Sequence, residues 1–177
     1  MAEWRFIANS YLSCNHPPLL IELDDTDWRL LHLLQADAAR SNQALAEAAG
    51  VSPATALRRV RRLVDAGVIE RQVALLNPAA VGAGLAALVE VSLDRQGAEH
   101  LDAFEARAVA DAAVQQAWRV SPGPDFVLVV QVADMPAYQA LAQRLFTQDA
   151  NVRNVKAFFS LKRAKFVTAV SLQKGGG

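Results

Sequence analysis

Apolar residues recur at helical spacing in the first part of the chain and alternate at strand spacing in the second, the change falling across residues 77–84. The leucines of Leu23-Asp-Asp-Thr-Asp-Trp-Arg-Leu-Leu-His-Leu-Leu34 predict a first helix. Asp24 is its cap, and Asp27 three residues on makes a capping-box variant that also suits the helix dipole. Ser41 suits the cap of a second helix whose inward stripe is Leu45, Ala46 and Ala49. Gly50 fits the left-handed position that ends it, and Val51 can plug the turn. Ser52 then caps a third helix, with Pro53 at its first position, where a missing amide costs nothing. Small residues at 46 and 49 let the two helices cross closely, so the stretch predicts a helix-turn-helix.

In 100° steps, Leu57, Val60, Leu63 and Val64 of the third helix fall on one side. Thr55, Arg58 and Arg62 lie opposite, with Arg59 and Arg61 on the flanks. A charged helix face is ordinarily a solvated one. Here, however, Asp65 is the sole acid between Pro53 and Ala66, and a guanidinium fork matches guanine edges and phosphates. With the preceding helix and turn in place, DNA recognition is the expected role. Ser52, Thr55, Arg58 and Arg59 are expected to approach bases or phosphates, while Arg62 and the Ser41, Asn42, Gln43 segment hold the backbone. After Gly67, residues 68–76 have the β-branched content of a strand or short wing hairpin, which makes the motif a winged one.

Asn77-Pro78 and Gly82-Ala-Gly84 mark a hinge. Beyond it the pattern predicts strand 85–93, helix 99–110, strand 114–120 and, after Ser121-Pro-Gly-Pro124, strand 125–132. A helix capped by Asp134 runs to about Gln148, a strand covers 152–161, and 166–172 offers a further one. This order is the ferredoxin-like βαββαβ arrangement. The fold class is therefore α+β. An arm at 1–22 precedes a winged helix-turn-helix domain at 23–76, a hinge at 77–84, a ferredoxin-like domain at 85–172 and a tail at 173–177. Phe126, Leu128, Val130 and Val132 alternate with Val127, Val129 and Gln131, so both faces of that strand are largely apolar; sheet-on-sheet dimerisation follows.

Composition narrows the function classes. Of 177 residues, 53% are hydrophobic, which excludes a disordered chain. Net charge is zero, and residues 24–71 carry seven acids and seven bases, so affinity for DNA must come from local clustering. From Asn151 onward there is no Asp or Glu, only Arg153, Lys156, Lys162, Arg163, Lys165 and Lys174; such a stretch lies near DNA or guards a sheet edge. The single Cys14 rules out an internal disulfide and suits a reducing cytoplasm. No run is long and apolar enough for a bilayer, and the first 23 residues lack the pattern of a secretion signal. Trp4, Phe6, Ile7, Tyr11 and Leu12 are expected to dock on the body or on a second subunit. No phosphate loop, metal-ligand cluster or Ser-His-Asp spacing is present, so neither metal nor cofactor is expected.

Over residues 23–165 the chain resembles the Lrp/AsnC (feast/famine) transcriptional regulators. The matching stretches are Leu23-Asp-x-x-Asp27, Leu45-Ala46, Gly50-Val-Ser-Pro53, and Arg59-Val-x-x-Leu63-x-x-x-Gly67-Val-Ile69. Leu76-Asn-Pro78, Asp125-Phe126, Asp134-Met135 and Tyr138 continue the match. The resemblance implies a winged helix-turn-helix followed by a ferredoxin-like ligand-sensing domain. It implies homodimers that can assemble into octamers on double-stranded DNA. It further implies an amino-acid or other small effector bound where dimers meet, near Gly123, Asp125, Phe126 and Ala157. The chain departs from the family pattern at Ala39, where arginine is usual, at Pro122, where glycine is usual, and at Ala157, where threonine is usual. The last two fall at the effector pocket. Two other readings compete: an effector-independent DNA-binding or assembly protein of this fold, or an enzyme like the haem-biosynthesis decarboxylases that resemble the family. The latter use histidine and arginine, and only His16, His32 and His100 occur here.

Overall fold

The computed structural model describes residues 21–172. The apolar arm, with Cys14 and His16, and the glycines at the chain end lie outside the described residues. Residues 21–74 with 167–172 cluster into one unit, and residues 75–166 into another.

The first unit holds α1 (Asp25–Ala36), α2 (Asn42–Ala49) and α3 (Pro53–Asp65). Each helix begins at the cap its sequence predicts. Asp24 accepts from the amides of Thr26 and Asp27 at 2.9 and 3.0 Å, and the Asp24 amide donates back to Asp27 at 3.2 Å, closing a capping box. Ser41 and Ser52 accept from Ala44 and Thr55, each at 3.2 Å. Gly50 ends α2 at φ 71°, a left-handed conformation that suits a residue without Cβ. Leu30, Leu45, Ala46, Ala49 and Ala56 form the small core, with Leu33, Leu34, Val51 and Val60 around it.

The inward stripe of α3 differs from the wheel. Ala56 and Leu63 are buried and Val60 half-buried, whereas Leu57 is 41% exposed. The helix is rotated so that Arg59 lies beside the apolar stripe. The segment expected to form a strand or wing hairpin runs from Glu70 through Leu76 with no ladder, leaving Val73, Leu75 and Leu76 exposed. A strand exists only by pairing, and the described residues supply no partner here. The further strand expected at 166–172 is likewise unpaired. It is held instead by Gln35, whose carboxamide accepts from the Val170 amide at 2.7 Å and donates to its carbonyl at 3.3 Å.

The second unit contains β1 (Leu85–Leu93), α4 (Ala98–Ala110), β2 (Val114–Arg119), β3 (Phe126–Val132), α5 (Met135–Ala142) and β4 (Val152–Phe159). A wider helical turn at Gln143–Thr147 extends α5. The sheet order is β2-β3-β1-β4, antiparallel throughout, which is the ferredoxin-like topology. Alternation decides the faces. Val89, Val91, Leu93, Phe126, Leu128 and Val130 point inward and meet Phe104, Ala108, Tyr138, Leu141 and Phe146 from the helices. Phe104 and Phe126 pack with their rings tilted by 43° and centroids 4.8 Å apart, and Tyr138 meets Phe159 edge-on at 4.8 Å. The outer face is not polar: Leu88, Trp118 and Phe158 are exposed there, beside half-buried Val127 and Val129.

Phe126→Ala removes a fully buried ring from the centre of this core and is expected to cost about 3–5 kcal/mol. Urea unfolding checks this. A loss under about 1 kcal/mol, the scale of a surface change, would contradict the packing described.

Candidate nucleic-acid interface

The start of α3 is a polar platform. Ser52 and Thr55 share a hydrogen bond at 2.9 Å between their hydroxyls, and Ser52, Pro53 and Ala54 are exposed. Asn42 at the start of α2 donates its carboxamide to the Pro53 carbonyl at 2.9 Å, fixing the two helix starts to each other. Ser41 and Gln43 are exposed beside it. Ser41, Asn42, Gln43, Ser52 and Thr55 thus gather at the two helix starts.

The four arginines of α3 divide into two pairs. Arg58 and Arg61 are exposed and make no ion pair among the described residues. Arg59 and Arg62 turn back onto the start of α1. Arg59 Nη1 donates to Asp24 Oδ2 at 2.7 Å and to Asp27 Oδ1 at 3.0 Å. Arg62 Nη2 meets Asp27 Oδ2, and the Glu22 carbonyl at 3.5 Å. The Asp27 side chain is wholly buried. Its oxygens serve the α1 cap and both guanidinium groups, while Arg59 Nε is buried without a partner.

Arg59, expected at the duplex, is therefore held on carboxylates, and Arg62 is shared between them and solvent. Arg61, placed on a flank, is as free as Arg58. The wheel missed this because it ranked positions by hydrophobicity. A legible signal was Arg59 on the edge of the apolar stripe with Arg62 one turn on, together with an acid at the third position of α1. The exposed Asp24 carboxyl is lowered from its ordinary 3.8 to about 2, chiefly by the Asp27 amide and next by the Arg59 hydrogen bond.

The effector residues separate. Gly123 is exposed in the Ser121–Pro124 turn with φ 130°. Asp125 is half-buried at the foot of the turn, and its Oδ2 accepts from the Leu93 amide at 2.7 Å. The Phe126 ring is fully buried against Phe104, and Ala157 packs on the same core across from Val89. Only Gly123 and Asp125 lie at the turn; Phe126 and Ala157 direct their side chains inward because they share the inner register of the sheet.

The histidines stand apart. His32 lines a groove of about 260 Å³ on α1 with Asp25, Trp28, Arg29 and Leu172, while His100 Nε2 lies 3.6 Å from Glu99 on α4. Among the described residues no three potential metal ligands cluster, and no helix is long and apolar enough to cross a membrane.

Residues 23–64 match the AsnC-type helix-turn-helix domain, and residues 86–170 match the Lrp/AsnC ligand binding domain. The leucine-responsive regulatory protein of Rhizobium meliloti is 36% identical over 152 residues, covering 86% of this chain and 97% of that protein. The chain belongs to the Lrp/AsnC family. The DNA-binding transcriptional activator DecR of Escherichia coli is 33% identical, over 85% of this chain and 99% of its own length. A transcriptional regulator of Neisseria meningitidis, solved with L-methionine, superposes with a TM-score of 0.79 at 29% identity, covering 85% of this chain and 97% of that one. This Lrp/AsnC chain is accordingly a DNA-binding transcriptional regulator with a ligand-binding domain, and the relatives that it matches are regulators rather than enzymes.

The lowered Asp24 carboxyl sets a pH dependence. Because its folded value lies below the unfolded one, its stabilisation is complete above about pH 4 and is lost as pH falls toward about 2. Unfolding midpoints of the native chain are expected to show this loss, and those of Asp24→Asn to lack it. Parallel pH profiles for the two proteins would contradict the assignment.

Proposed function

We propose that this regulator acts in the cytoplasm as a homodimer, without catalytic activity, on a pseudo-palindromic operator. Arg58 and the Ser52–Thr55 hydroxyl pair approach base edges, while Ser41, Asn42, Gln43 and Arg61 contact phosphates. Arg62, partly exposed, adds a backbone contact, and Arg59 is a positioning residue that fixes the helix. The observation that carries this reading is the unpaired, exposed state of Arg58 and Arg61 on a helix otherwise locked by ion pairs. A guanidinium fork with no internal carboxylate is available to guanine O6 and N7 or to a phosphate.

The dimer uses the outer face of the sheet. Cross-strand register aligns Trp118 with Val127, and Val129 with Leu88 and Phe158, so the exposed apolar residues form a continuous patch over four strands. Such a patch is normally covered. Further association of dimers, up to octamers, brings the Gly123–Asp125 turns to the contacts between them. An amino acid is the effector class favoured there, since one relative is named leucine-responsive and another was solved with L-methionine. Asp125 supplies a carboxylate for its ammonium group.

Fluorescence anisotropy with the duplex upstream of the chain's own gene tests the DNA contact. Arg58→Ala is expected to weaken binding by about 1–3 kcal/mol and to relax preference over a scrambled duplex. Unaltered affinity and preference would remove Arg58 from the interface. Light scattering tests the sheet face: Leu88→Asp places a charge in the patch and is expected to halve the particle mass or reduce it further. An unchanged mass would place the dimer contact elsewhere.

A further inference from the structure

Three of the six arginines of the second unit are neutralised internally. Arg107 pairs with Asp149, Arg119 with Asp102 and Glu105, and Arg144 with Asp111. Against that background three cations stand out just after β4. Lys162, Arg163 and Lys165 are all exposed, within four residues of chain, and make no ion pair among the described residues. No acid follows Asp149 anywhere in the sequence.

Edge protection does not account for them. A lysine that guards a sheet edge sits in the edge strand itself, where it keeps other strands away. In β4 that description suits Arg153, and Lys156 stands across from Glu90 on β1. Lys162, Arg163 and Lys165 lie beyond Phe159, outside the ladder, in a segment that follows a bend at Leu161. Arg163 is also oriented: its guanidinium stacks over the Phe166 ring at 4.8 Å. Stacking occupies the face of the group and leaves its in-plane N–H donors directed outward. A stacked fork between two flexible ammonium groups, with no acid near in sequence, is suited to a row of phosphates.

We propose that Lys162, Arg163 and Lys165 form a second phosphate-contacting surface, which grips the DNA backbone without reading bases. The proposal rests on the regulator reading above and extends it to the second unit. Each cation that neutralises a phosphate releases condensed counterions, so the contact is visible in the salt dependence of binding.

The test measures affinity against salt concentration for the full chain, on the upstream duplex and on a scrambled one. The variants are Lys162→Ala/Arg163→Ala/Lys165→Ala and the conservative Lys162→Arg/Lys165→Arg, with particle mass followed for each. The triple variant is expected to bind both duplexes more weakly in equal proportion. Its plot of log affinity against log salt should be shallower by about 2–3, near 0.9 for each lost contact. The conservative variant is expected to keep the native slope, and all masses to stay the same. A native slope in the triple variant overturns the proposal, and so does a loss of binding accompanied by a fall in particle mass. The regulator reading fails separately, by equal native affinity for the two duplexes.

Discussion

One buried carboxylate organises the DNA-binding unit. Asp27 closes the capping box of α1 with one part of its hydrogen-bonding capacity and holds Arg59 and Arg62 of α3 with the rest. Burying a carboxylate is costly, and the cost is offset only when both oxygens are satisfied by good donors. Here the donors come from two helices, so satisfying Asp27 fixes the angle and rotation of α3 relative to α1. Removing a partner would leave an uncompensated buried charge, a penalty on the order of 3–5 kcal/mol. Apolar contacts alone would determine the rotation poorly, because the core of this unit is small and includes three alanines.

That rotation has a functional consequence. Arg59 and Arg62 are held on the carboxylates of α1, while Arg58 and Arg61 are exposed and make no ion pair among the described residues. The same helix is thereby both anchored and presented. Arginine suits the inner contacts, since a single guanidinium nitrogen of Arg59 spans the Asp24 and Asp27 carboxylates while Arg62 reaches Asp27 from the next turn. The second unit follows a comparable division. One face of its sheet is filled by Phe104, Phe126, Tyr138 and their neighbours, and the opposite face keeps Leu88, Trp118 and Phe158 in the open.

Much of this was legible beforehand, where local chemistry decides. Asp24, Ser41, Ser52, Pro53 and Gly50 set helix ends through hydrogen bonds to near neighbours, and the alternation in β1 and β3 set their faces. What sequence periodicity could not supply was pairing at a distance. The run around Val73 to Leu76 has strand composition, but no strand pairs with it among the described residues. Val170 is secured by the side chain of Gln35, 135 residues earlier. Arg59 resembles a surface residue until Asp24 and Asp27 are known to face it. Phe126 and Ala157 were associated with an effector by their place in a motif, whereas the inner register of the sheet assigns their side chains to the core.

The central claim is the division of labour among four arginines, and a matched set of single alanine variants at 58, 59, 61 and 62 tests it most directly. For each, the urea midpoint and the affinity for the upstream duplex are measured together. Arg58→Ala and Arg61→Ala should weaken DNA binding and leave the midpoint within experimental error of the native chain. Arg59→Ala should lower the midpoint most, with Arg62→Ala next. Midpoints lowered equally by all four, or a fall confined to the variants at 58 and 61, would contradict the account.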